Sequence, residues 1–118
     1  MGTIDTPAVS VADVKDAISR AVPATEALPR IEDLMALHTR LLKLIVVLEP
    51  LAKRRIDTMD RRTVEWYNAA SRLDEIQYQV AMGLGSGLQS AARHVRTLGY
   101  TLQFLLVRSG LEDEAAQQ

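Results

Sequence analysis

Residues 83–108, GLGSGLQSAARHVRTLGYTLQFLLVR, decide the fold class. Three glycines in the first five positions cannot propagate a helix cheaply. Beyond them, a rotation of about 100° per residue gathers Leu88, Ala92, Val95, Gly99, Leu102 and Leu106 on one side. The same rotation sets Tyr100, Phe104 and Val107 on the opposite side, beside Arg93 and Arg96. A helix that is apolar on two sides is either central in its bundle or lies in an interface. A chain of 118 residues leaves little material to surround one helix, so the pattern favours an interface built from Arg93, Arg96, Tyr100, Phe104 and Val107. Gly99 on the inward side costs about 1 kcal/mol of helix propensity, which implies that another helix approaches closely there.

Upstream of the glycines, Trp66, Ala69, Ala70, Leu73, Ile76 and Val80 share one face of a helix expected over 61–82, with Asp60 as its N-cap. A longer helix over 30–56 carries a core stripe of Leu34, Leu37, Leu41, Ile45, Leu48 and Ala52. Pro50 lies inside it and predicts a kink or break near 47–49. A first helix over 11–22 takes Ser10 as N-cap and Pro23 as its stop, and the linker 23–29, bracketed by two prolines, disfavours helix. That first helix has too few large apolar residues to persist undocked, which leaves movement, or exchange onto a partner chain, open. No alternating strand pattern runs longer than a few residues. The expectation is all-α: a small bundle of three long helices plus a short N-terminal one, with the third and fourth helices forming an antiparallel hairpin. A single domain is expected over 1–110, followed by a flexible acidic tail over 111–118.

Composition then narrows the chemistry. Fourteen basic and fifteen acidic residues give a net charge of -1, so there is no global basic field to draw in nucleic acid. The absence of cysteine excludes disulfides, thiolate metal sites and Cys nucleophiles. The longest purely apolar run, 44–48, is far short of the roughly 20 residues a membrane helix needs. The first ten residues lack the charged and apolar regions of a secretory signal, and the default compartment is the cytoplasm. MGTIDT at 1–6 matches the myristoylation pattern, which short sequences often meet by chance.

Catalysis has little to work with. His38 falls at the edge of an apolar stripe and His94 on a mixed surface between Arg93 and Arg96, so both read as boundary or solvated residues. Glu65, Asp74 and Glu75 form a carboxylate group, but Arg72 is spaced to pair with Glu75. No HExxH or Glu-x-x-His spacing is present, and no metal or cofactor is expected. GLGSG lacks the Lys-Ser/Thr of a phosphate loop and follows a helix, so it reads as a turn. Lys53, Arg54, Arg55, Arg61 and Arg62 form one basic cluster, diluted by Asp57 and Asp60, which keeps a DNA-contacting regulator as the third reading. Tyr67, Ser71, Asp74 and Tyr78, at i, i+4, i+7 and i+11, make a second stripe that could line a small-molecule groove between helices. The leading reading is a non-enzymatic protein–protein interaction or accessory protein, with a homodimer favoured and a small-molecule binder as the alternative.

LHTRLLKLIVVLEPLAKR (37–54), AASRLDEIQ (69–77) and GLGSGLQSAARHVRTLGYTLQFLL (83–106) together resemble a family of small uncharacterised, all-helical actinobacterial proteins. These are commonly labelled natural-product biosynthesis proteins, and the likeness extends over about Leu34 to Val107. It implies a secondary-metabolism setting but supplies no activity or site residues. In that family a Cys and a His often stand near the end of the last helix. Here that place holds Leu105, Leu106 and Val107, so chemistry tied to those residues does not carry over.

Overall fold

A computed structural model describes residues 9–27 and 29–112. Five helices follow one another: α1 (Val11–Ala21), α2 (Ala24–Ala27), α3 (Ile31–Ile56), α4 (Val64–Ala81) and α5 (Leu88–Ser109). No strand occurs among the described residues, and the fold is all-α as expected. The single turn α2 is additional, so the expected second, third and fourth helices are α3, α4 and α5.

The boundaries have local causes. Ser10 Oγ accepts the Asp13 amide at 3.1 Å and caps α1 as expected. Between the two prolines, the Pro23 carbonyl accepts the amides of Glu26 and Ala27 at 3.0 and 3.1 Å. Proline suits a first helical turn, where amides lack intrahelical partners anyway, so Pro23 starts a turn where the linker was expected to stay non-helical. α3 runs unbroken through Pro50. The hydrogen bond lost there would have reached the Val46 carbonyl, and both residues are exposed, which leaves the orphaned carbonyl to water. α4 starts later than expected because Thr63, not Asp60, is its cap: Thr63 Oγ1 accepts the Trp66 amide at 3.1 Å. Asp60 instead accepts the Arg62 amide at 3.0 Å and closes the turn ahead of the helix. Gly110, with φ of 75°, ends α5 in the left-handed conformation that glycine adopts freely.

α5 is the central element. α3 packs on it most extensively, α1 and α2 rest on it too, and α4 leans on α3 more than on α5. α4 leads into α5 through the glycine segment as expected. Leu34, Leu41, Ile45 and Leu48 of α3 meet Val95, Leu98, Leu102 and Leu105 of α5 in one fully buried cluster. Each such side chain contributes about 1.5–3 kcal/mol on burial. Leu98 and Leu105 widen the buried arc of α5 beyond the expected inward stripe, whereas Leu88, at the helix start, is exposed. Thr101, also buried, donates its hydroxyl to Gln79 Oε1 and ties α5 to α4.

α1 is docked, through Val14, Ala17 and Ala21. The close approach expected at Gly99 is made by this helix: a Cβ on Gly99 would stand 2.7 Å from the Ala21 Cβ. Arg40 of α3 reinforces the contact, reaching Asp16 Oδ2 at 2.9 Å and the Asp13 carbonyl at 3.1 Å. At the other end, Lys15 Nζ meets Glu112 Oε2 at 2.8 Å. Leu111 packs against the core. The rest of the expected acidic tail, 113–118, and the 1–6 pattern lie outside the described residues.

Candidate functional site

The five residues singled out on the last helix do share one outward face. Arg93, Arg96, Tyr100 and Val107 are exposed, Tyr100 at 40% and Val107 at 62%, and Phe104 is half-buried. Phe104 lies beneath two guanidinium groups: Arg72 of α4 stands 4.8 Å from its ring centroid and Arg108 stands 5.9 Å away. Arg96 lies 5.6 Å from the centroid of the Tyr100 ring. These are cation–π contacts, in which the ring face attracts the cation. Arg72 therefore covers Phe104, and no Arg72–Glu75 ion pair forms among the described residues, contrary to the spacing rule. A shallow hollow of about 310 Å³ opens between Arg72, Tyr100, Gln103, Phe104, Val107 and Arg108. A second, of about 290 Å³, lies between α2 and the first turns of α5, beside Arg93 and Arg96.

The tyrosine stripe is placed differently from its expected role. Tyr67 and Tyr78 stand in solvent at 65% and 76% exposure, on the side of α4 away from the core, with Ser71 partly covered between them. Of the four, Asp74 alone borders the cleft between α3 and α4. That cleft measures about 180 Å³, below the ~300 Å³ at which ligand pockets usually begin. The stripe thus forms no groove, because its rotation from Ile76 and Val80 turns it outward. A wider hollow, about 490 Å³, lies instead between α1 and α3. The Asp16–Arg20–Arg40 ion pairs occupy its wall.

The basic cluster is answered within the chain only in part, since Arg54 and Arg55 form no ion pair among the described residues. Lys53 pairs with Asp57 at 3.0 Å, Arg62 pairs with Asp60 at 3.2 Å, and Arg61 lies over Trp66 at 5.5 Å. Among the described residues, no three His, Asp or Glu side chains gather closely enough to hold a metal ion. No helix among the described residues is long and apolar enough to cross a membrane.

Sequence reasoning missed one pair. His38 of α3 and His94 of α5 meet with ring centroids 5.3 Å apart and planes tilted by 53°. Both Nε2 atoms are buried without a hydrogen-bond partner. Burial pushes both imidazoles below their ordinary range. For His94 the neighbouring His38 adds to this, and a backbone hydrogen bond with Met82 opposes it. Each histidine sits at the edge of its own stripe, and only the register of α3 on α5 unites them. His94 is thus half-buried against His38, with its Nε2 atom out of water, where the sequence pointed to solvent.

Fold and surface together define a small all-α domain whose central helix presents an arginine–aromatic face. The chain belongs to a family of unknown function (DUF6415), whose family model matches residues 12–113. No curated protein and no solved structure matches it.

Proposed function

We propose that this chain is a non-enzymatic interaction module that docks another protein chain, a second copy or a different one, on the outer face of α5. One observation carries the reading. All four other helices pack on α5, yet Tyr100 and Val107 remain exposed, and Phe104, which packs against the core, stays only half-buried with the Arg72 and Arg108 guanidinium groups over its ring. Apolar surface that a fold leaves open on its most buried helix is surface suited to a partner. The secondary-metabolism setting implied by the sequence resemblance is where such a partner would be sought.

Site-specific photo-crosslinking in the native host tests this directly. A photoreactive residue at position 107 or 100 is expected to yield a discrete protein adduct. The same residue at position 67, equally exposed on α4, is expected to yield none. Equal labelling from both faces, or none from α5, would remove the reading.

A further inference from the structure

The charges on the docking face say what chemistry its occupant carries. From Leu88 to Ser109 the sequence holds three arginines and no carboxylate, and Arg72 of α4 adds a fourth cation beside them. Elsewhere five cations meet acids: Lys15 meets Glu112, Arg20 and Arg40 meet Asp16, Lys53 meets Asp57, and Arg62 meets Asp60, while Arg30, Lys43, Arg54, Arg55 and Arg61 form no ion pair among the described residues. Arg72, Arg93, Arg96 and Arg108 have no carboxylate partner among the described residues. Three of the four lie over aromatic rings. A guanidinium stacked in this way is pre-organised, and its in-plane N–H groups stay free to meet a carboxylate side-on.

A second copy of the chain fits this face poorly. A two-fold contact brings a patch against itself, so four arginines would face four arginines with no acid on α5 to separate them. Like charges brought together across an interface are costly. A polyanionic nucleic acid fits less well than an acidic protein. The middle of the face is the apolar strip of Tyr100, Phe104 and Val107, and the chain as a whole carries a net charge of -1. We infer that the outer face of α5 binds an acidic amphipathic helix of a different protein. Its apolar residues lie on Tyr100, Phe104 and Val107, and its Asp and Glu side chains meet Arg72, Arg93, Arg96 and Arg108. This inference rests on the docking reading above and adds the sign of the partner.

A displayed library of amphipathic 16-residue peptides, with a fixed apolar stripe and flanks randomised among Asp, Glu, Lys, Arg, Ser and Gln, tests it on the full chain. Selection is expected to enrich Asp and Glu at the flanks. Binding of the enriched peptides should fall roughly tenfold between 50 and 300 mM salt. The Arg72→Glu/Arg96→Glu double variant, checked for an unchanged helical spectrum, should shift the selection towards Lys and Arg. Enriched peptides whose flanks show no charge preference would overturn the acidic partner and leave the docking reading standing. No enrichment, together with no crosslink at position 107, would remove both. A stable dimer by sedimentation, dispersed by Val107→Asp, would make the occupant a second copy. Competition by a duplex oligonucleotide at 150 mM salt would make it a nucleic acid. Either of these last results overturns the inference.

Discussion

At the scale of single residues, Gly99 and the histidine pair make the firmest demands. Gly99→Ala adds one methyl group where the Ala21 Cβ and the Val22 backbone already stand at 2.7 and 3.4 Å. Neither neighbour is the end of a flexible side chain, so α1 must move. Overpacking of this kind costs about 1–3 kcal/mol, against roughly 1 kcal/mol gained in helix propensity. A net loss of about 1 kcal/mol, read as a Tm lower by several degrees, is expected. Adding Ala21→Gly should restore packing room, and a Gly99→Ala protein as stable as the parent would show that α1 is not held there.

His38 and His94 act on stability through protons. Their folded affinity for a proton is lowered, chiefly by burial, so the unfolded chain takes up protons first as the pH falls below about 6.5. The stability they contribute is fully present above that range and is lost on acidification through the lowered folded values. Asp16 is held low by Arg40 and then Arg20, and Asp60 by the Arg62 backbone amide and side chain, so these two lose their contribution only below their ordinary range near pH 3.8. The Tm is therefore expected to fall as the pH drops below about 6.5, and a His38→Gln/His94→Gln protein should show a flatter profile. An equal slope in that variant would assign the acid sensitivity to other groups.

At the scale of the elements, legibility depended on how local each cause was. The core stripes of α3, α4 and α5 were readable because a helix repeats its inward positions every three to four residues, whatever it packs against. Their ends were less so. Asp60 and Thr63 are both good caps, and only the path of the turn decides which carries the helix. Thr63→Ala is accordingly expected to cost about 1 kcal/mol, with Asp60→Ala costing less. The reverse order, measured by denaturant unfolding, would restore the expected earlier start. α2 escaped notice because two prolines suggested a non-helical linker, although one of them begins a turn. The His38–His94 contact was not legible at all, since it depends on the register between two helices far apart in sequence. Arg93, Arg96, Tyr100, Phe104 and Val107 were legible as one outward face of α5. That Arg72 covers Phe104 was not, because the hand that reaches over comes from α4.

At the scale of the whole molecule, α5 joins two roles that mutation should separate. Its inner arc holds the fold, so Leu98→Ala or Leu102→Ala is expected to cost about 2–5 kcal/mol by leaving a cavity. Its outer face should matter little to the isolated chain: Val107→Ser belongs to the class of surface changes that stay within about 0.5 kcal/mol. The oligomeric state supplies the sharper distinction. A protein whose fold depends on a second copy gains stability with concentration, because association adds to the folded state by mass action. If the arginine face awaits an acidic partner of another kind, the Tm of the purified chain should not change over a hundredfold range of concentration. An acidic peptide selected on the face should then raise it by about 2.7 kcal/mol equivalent at one hundred times its Kd. A Tm that climbs with protein concentration, and that Val107→Ser lowers at high concentration only, would instead mean that α5 completes its core across a dimer. The four arginines would then have to be spread apart by a geometry other than face-to-face helix packing.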